Sequence, residues 1–176
     1  RSTYLSGFYG CSGLTSIEIP NSVTSIGQSA FYGCSGLTSI EIPNSVTSIG
    51  VEAFYGCTGL TSIDIPNSVT SIGERAFSYC SKLATISVAE GNGFYDSRNN
   101  CNAIIETQSN TLIAGCANTV FPNDVTSIGD MAFSACTKLQ SVTIGNSVKS
   151  IGNSACRDCI GLTSIEIPNS VITIGD

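Results

Sequence analysis

Apolar side chains recur along this chain with a period of 23 residues, and within each period they fall in the same slots. One period places Leu14, Ile17, Ile19, Val23, Ile26, Ala30, Phe31 and Cys34 inward. The next places Leu37, Ile40, Ile42, Val46, Ile49, Ala53, Phe54 and Cys57, and a third Leu60, Ile63, Ile65, Val69, Ile72, Ala76, Phe77 and Cys80. A fixed period of this length marks a solenoid or a propeller, in which each unit buries its apolar face against its neighbours. Within a unit, I-x-I alternates as a half-buried strand does. The proline that follows (Pro20, Pro43, Pro66, Pro168) has no N–H for a ladder and ends the strand. Asn-Ser makes a turn. V-T-S-I reads as a second short extended segment, and Gly27, Gly50 and Gly73 permit the next bend. The A-F-x-x-C stretch is expected to form a single helical or 3₁₀ turn, with Phe and Cys on one side.

One segment breaks the period. Cys80 and Cys136 lie 56 residues apart, one interval of 23 and one of 33. A polar loop runs from Glu90 to Asn100, and two apolar runs, Ala103-Ile104-Ile105 and Leu112-Ile113-Ala114, flank Thr107-Gln108-Ser109-Asn110. That pattern predicts a β-hairpin with a four-residue loop. The organisation is therefore one solenoid: regular repeats over 1–88, an atypical loop and hairpin over 89–116, and regular repeats over 117–176. The chain opens at Arg1 in a degraded repeat and stops at Asp176 where Ala-Phe is due, so it reads as a piece of a longer array. Open coil ends expose strand edges, which makes self-association through them an expectation.

The phrase L-T-S-I-E-I-P-N-S-V-T-S-I-G-x-x-A-F-x-G-C, with its L-x-x-I-x-I strand spacing, resembles the BspA-like, or Treponema-type, leucine-rich repeat. The stretch from Tyr95 to Cys116 is similar to an atypical module of the same family. The resemblance covers nearly the whole chain and implies a right-handed, β-rich leucine-rich-repeat coil. It also implies a secreted or surface-attached bacterial protein, with adhesion to host extracellular matrix as one role in the family. It carries over no catalytic residue. Two departures stand out: Cys156 where the repeat has Phe, and Gly145 where it has Pro.

Composition narrows the function classes. Seven Lys and Arg against thirteen Asp and Glu give a net charge of −6, and the cations are scattered. Nucleic acid and anionic membrane surfaces are disfavoured as partners, because both need clustered cations. No apolar run has the length of a membrane span, and no signal peptide stands in this segment. With no histidine there is no Ser-His or Cys-His nucleophile system, and no phosphate-binding glycine motif occurs. The reading is of a protein that is not an enzyme and needs no cofactor or metal. Nine cysteines remain, most at one core-facing slot; a ladder of buried thiols is expected there, with disulfides as the alternative. Cys156-Arg157-Asp158-Cys159 is a lone C-x-x-C, a weak redox or zinc signal.

Two surfaces are candidates for binding. Glu18, Glu41 and Asp64 share one outward slot on consecutive coils, and Thr143 and Glu166 hold it later. In-register carboxylates repel, so the stripe suits a basic protein partner or a weak Ca²⁺ site; the plainer reading is a solvated face copied by duplication. The second candidate is the atypical loop, with Phe94, Tyr95, Asp96 and Arg98 as interface anchors. A row of Thr hydroxyls (Thr24, Thr47, Thr70, Thr126) could in principle bind glycans or ice, although Thr also simply suits an exposed strand. Against a binding role stands a structural spacer, because outward positions are nearly identical from repeat to repeat.

Overall fold

The computed structural model describes residues 4–176; Arg1, where the degraded repeat begins, lies outside the described residues. The strands are short. In chain order they are β1 (Tyr4–Leu5), β2 (Ser25–Ile26), β3 (Ser48–Ile49), β4 (Ser62–Ile65), β5 (Ser71–Ile72), β6 (Thr85–Val88), β7 (Tyr95–Asp96), β8 (Ala103–Glu106), β9 (Thr111–Gly115), β10 (Ser127–Ile128), β11 (Ser141–Thr143), β12 (Ser150–Ile151), β13 (Ser164–Glu166) and β14 (Thr173–Ile174). They wind a β-solenoid of about seven turns. The V-T-S-I segments build the longer ladders. β1, β2, β3 and β5 run parallel in one sheet; β14, β12, β10, β9, β8 and β7 form another. Register advances by one repeat per rung, with Ser25 opposite Ser48 and Ile49 opposite Ile72.

The I-x-I segments pair as strands only in β4 with β6 and β11 with β13. Around Ile17 and Ile40 no strand forms, and both side chains are half-buried. The core is otherwise the predicted inward set, with Ile26, Phe31, Cys34, Leu37, Phe54, Leu60 and Ile65 fully buried. Phe8, Phe31, Phe54 and Phe77 stack through the first half, their ring centroids 5.2–5.4 Å apart.

The A-F-x-x-C stretch is not helical, contrary to expectation. Each coil closes there with a turn holding two residues in the left-handed region, such as Ser29 (φ 52°) with Gly33 (φ 69°) and Glu52 (φ 54°) with Gly56 (φ 71°). Its amides point along the solenoid axis instead of along a helix. Ser29, Phe31 and Gly33 donate to the carbonyls of Val51, Ala53 and Tyr55 on the next coil. Three inter-coil hydrogen bonds per turn outweigh the cost of a left-handed Ser or Glu, roughly 1–2 kcal/mol.

The regular cysteines form the expected ladder. Cys34, Cys57, Cys80 and Cys159 each donate a thiol hydrogen bond to the carbonyl of the Phe one coil earlier: Phe8, Phe31, Phe54 and Phe133, at 2.9–3.3 Å. All nine cysteines are free thiols. Burial, with the neighbouring thiols adding to it, pushes Cys57 and Cys136 up to about 12.

The atypical module folds as the predicted hairpin. β8 and β9 pair antiparallel across the four-residue loop, with a bulge at Ile104/Ile105. β7 turns back through a 3₁₀ turn (Arg98–Asn100) to pair with β8. The chain therefore abandons the coil for one pass and rejoins it at β9, which lies parallel to β10.

Candidate functional site

The outward carboxylates sit as the repeat places them. Glu18 and Glu41 border one shallow groove, and Glu41 and Asp64 border the next. All three are exposed, and among the described residues none forms an ion pair. The row does not continue unbroken. Asp64 lies opposite Ser87 and accepts its hydroxyl hydrogen bond, and the atypical module then intervenes. Thr143 and Glu166 face each other on a separate two-stranded sheet. Among the described residues no group of three or more potential metal ligands gathers. The exposed Thr rows are engaged with backbone: Thr47 donates to the Thr24 carbonyl at 3.1 Å and Thr70 to that of Thr47 at 3.2 Å. Their hydroxyl protons are spent within the solenoid, which weakens the idea of a glycan- or ice-binding hydroxyl array.

The second candidate changes character. Phe94 is exposed, as expected, but Tyr95 is only 5% exposed. Its ring fills the slot that Ile holds in a regular coil, and its hydroxyl accepts the Ile72 N–H at 2.8 Å. Arg98 is not a free anchor either. Nε and Nη2 grip both oxygens of Asp96 at 2.8 and 2.6 Å, and Nη1 reaches Asn110 at 3.0 Å and Asp124 at 2.5 Å. The bond to Asp96 is the chief cause of a guanidinium pKa raised above its ordinary value. Tyr95, Asp96 and Arg98 lock the fold-back of the loop, and of the four residues Phe94 is the exposed one. The error came from reading a long polar loop as surface, when the hairpin folds it onto its neighbours.

The fold displays two features the sequence reading passed over. One is a column of stacked tyrosines: Tyr9–Tyr32, Tyr32–Tyr55 and Tyr55–Tyr79, with centroids 4.7, 4.8 and 5.1 Å apart. Its signal was present, because Tyr9, Tyr32 and Tyr55 share the 23-residue period. Tyr79, one residue out of step, takes a glycine slot at φ 62° and donates its hydroxyl to Asp158 at 2.6 Å.

The other is a cleft of about 300 Å³. It opens between the turn over 73–78 and the turn over 129–132, with Tyr95, Ile113 and Ala114 inside and Glu74, Arg75, Glu106 and Asp130 around it. Its origin can be counted. A regular coil takes eight residues from Ile26 to Cys34; the atypical pass takes four, from Leu112 to Cys116. The shorter path cuts across the coil, and Gly115 occupies the slot of a Phe, its N–H bonding the Ala132 carbonyl. A methyl at Gly115 would overlap the ring edge of Phe133.

Comparisons with known proteins agree with this architecture. The model of the BspA-type leucine-rich repeat region matches six copies, over residues 2–108 and 110–176. A leucine-rich cell surface protein from Faecalibacterium prausnitzii superimposes with a TM-score of 0.82 and 36% identity, covering 93% of this chain and 44% of that one. A leucine-rich-repeat protein from Bacteroides ovatus gives 0.54 at 26% identity, covering 96% and 53%. The pneumococcal vaccine antigen PcpA, at 20% identity and 0.67, covering 92% and 58%, shares the fold. The chain spans about half the length of these proteins. No match was found among curated proteins. Period, thiol ladder, hairpin module and family model together place this chain in the BspA-type leucine-rich-repeat family.

Proposed function

We propose that this segment is a non-enzymatic, protein-binding part of a bacterial cell-surface or secreted protein, and that it serves adhesion. The observation that carries this reading is the row of Glu18, Glu41 and Asp64, exposed on three consecutive coils with no cation of the described residues beside them. Like charges stacked at one slot of successive coils repel one another. A partner bringing Lys or Arg relieves that repulsion and gains steering from a protein of net charge −6. Thr143 and Glu166 hold the same repeat slot beyond the atypical module, and Phe94 offers an exposed aromatic on the module itself. Similarity to the F. prausnitzii cell surface protein supports an extracellular setting, with host matrix proteins and mucins as the partner class to try.

The test is binding of the segment to a panel of such proteins, beside a variant with Glu18→Gln, Glu41→Gln and Asp64→Asn. Saturable binding that weakens with salt, and about tenfold in the variant, is expected from the loss of charge pairs of a few tenths of a kcal/mol to 1 kcal/mol each. Binding unaffected by the variant would remove the carboxylate face as the site. No binding by the folded segment would favour the spacer, which near-identical outward residues also suit.

A further inference from the structure

We propose that the cleft beside the atypical module is a docking site for an extended peptide segment carrying a basic side chain, which completes a rung that the solenoid lacks. The proposal rests on the reading that this chain binds protein, and gives it a second, separate place.

The missing rung is read from the inter-coil hydrogen bonds. In the regular coils, the amide two residues after the Gly (Ser29, Glu52, Met131) donates to the next coil, and so does the Phe amide two further on (Phe31, Phe54, Phe133). On the coil before the cleft, these positions are Arg75 and Phe77. Among the described residues neither N–H finds an acceptor. Across the gap, the carbonyls of Asp130 and Ser134 stand in slots that elsewhere accept such bonds, and among the described residues neither receives one. Only the middle acceptor, Ala132, is used, by the shortcut strand at Gly115. At one end the two coils close on each other, the Tyr79 amide reaching the Ser134 hydroxyl at 3.3 Å. Toward Glu74 and Asp130 they part.

Two donors on one wall thus face two unused carbonyls on the other, those of Asp130 and Ser134. Arg75 and Phe77 are two residues apart, the spacing at which an extended chain presents successive carbonyls to one side. Strand addition gains affinity from such main-chain bonds, and an unpaired amide on a residue as buried as Phe77 is costly. Charge selects the side chain. Glu74, Glu106 and Asp130 surround the cleft with one cation, Arg75, whose nearest carboxylate is Glu52 at 3.7 Å. The acidic excess disfavours an anion at the open amides and favours Lys or Arg. Ile113, Ala114 and Tyr95 offer apolar contact to the alternate side chains.

The test is a titration of isotope-labelled protein, followed by amide chemical shifts and hydrogen exchange, with a capped hexapeptide of alternating lysine and valine. We expect saturable shifts confined to the cleft, and exchange of the Arg75 and Phe77 amides slowed at least tenfold at saturation. Methylating the peptide nitrogens removes its donors and weakens binding about tenfold, the effect of one or two net hydrogen bonds. Glu74→Lys, exposed and separate from the fold-back contacts, weakens it at least threefold; Ala114→Leu, which fills the cleft, abolishes it. Shifts mapping to Glu18 and Glu41, equal binding of the methylated peptide, or inorganic phosphate protecting the two amides where the peptide does not would each overturn the proposal. Because the map separates the cleft from the carboxylate face, failure here leaves the face untouched, and the reverse.

Discussion

The regular coils and the atypical module solve one problem by opposite means. Between Phe8 and Cys80 the rungs copy one another: the same Phe on Phe and the same thiol on the same carbonyl, with the same three amides on the next coil from the coils of Phe31 and Phe54. No pair is special, and stability is shared among neighbours. In the module the copies stop, and single, unlike contacts take over. Tyr95 satisfies the Ile72 amide, Arg98 ties Asp96 to Asp124, and Gly115 makes room for Phe133. Repetition makes a rod; the interruption makes a cleft. The comparison predicts that damage to a regular coil is large and felt by its neighbours, while damage to the module is smaller and local.

The largest effect is expected from Phe54→Ala. Its ring is fully buried between Phe31 and Phe77, and its loss leaves a cavity in the middle of the stack. About 3–5 kcal/mol of destabilisation should follow, read from urea unfolding. Hydrogen exchange should speed in the coils on both sides. Loosening confined to residues 50–57 would mean that the coils do not share their stability.

Alkaline pH attacks the same repetition through its thiols. An unfolded thiol ionises around its ordinary value of 9.0, whereas Cys57 and Cys136 resist up to about 12 because burial disfavours the anion. Below pH 9 both states hold the proton and nothing is lost. Between pH 9 and 12 the unfolded chain releases protons that the folded one keeps, so stability falls, by about 1.4 kcal/mol per pH unit for each thiol. Unfolding under reducing conditions at pH 8, 9, 10 and 11 measures it. Cys57→Ala should flatten the slope by one thiol's share; an unchanged slope would assign the loss to other groups.

Gly115→Ala compares the regions directly. The added methyl meets Phe133, and should cost about 1–3 kcal/mol by overpacking. At Gly56 the nearest atom to an added methyl is 3.7 Å away, so only its φ of 71° opposes the change, at roughly 1–2 kcal/mol. The two glycines would then lose similar stability for different reasons. They part in a background of Phe133→Leu, which should rescue Gly115→Ala and leave Gly56→Ala as it was.

What could be read in advance follows the same divide. The inward set and the thiol ladder were legible because each slot is stated several times over, and chance apolar residues do not recur at 23. The hairpin was legible from local alternation around Thr107–Asn110. The closing turn was not, since Ser29 and Glu52 disfavour left-handed backbone, and they are held there by donating their own amides to carbonyls of the next coil. Tyr95 and Arg98 were misplaced for a related reason: Tyr95 keeps the 23-residue step from its partner Ile72 inside a segment where the repeat phrase has lapsed, and Asp124, 26 residues from Arg98, shares no repeat slot with it. The cleft, by contrast, stood in the spacing of Leu112 and Cys116 for anyone counting residues per coil.

Tyr95→Phe is the smallest change and the sharpest probe of the module. It keeps the ring that fills the Ile slot and removes only the oxygen that accepts from Ile72. That N–H belongs to β5, the last strand of the first sheet, and its donor would be left half-buried without a partner. A loss of about 1–2 kcal/mol is expected. Its location matters more than its size. If the module is an independent patch, exchange should quicken at Ile72 and the 73–78 turn and stay unchanged at Ile26 and Ile49. Quickened exchange spreading to those earlier rungs would show that the tyrosine hydroxyl stands in for a regular coil in the cooperative stack, and that the two regions differ in sequence but not in how they carry stability.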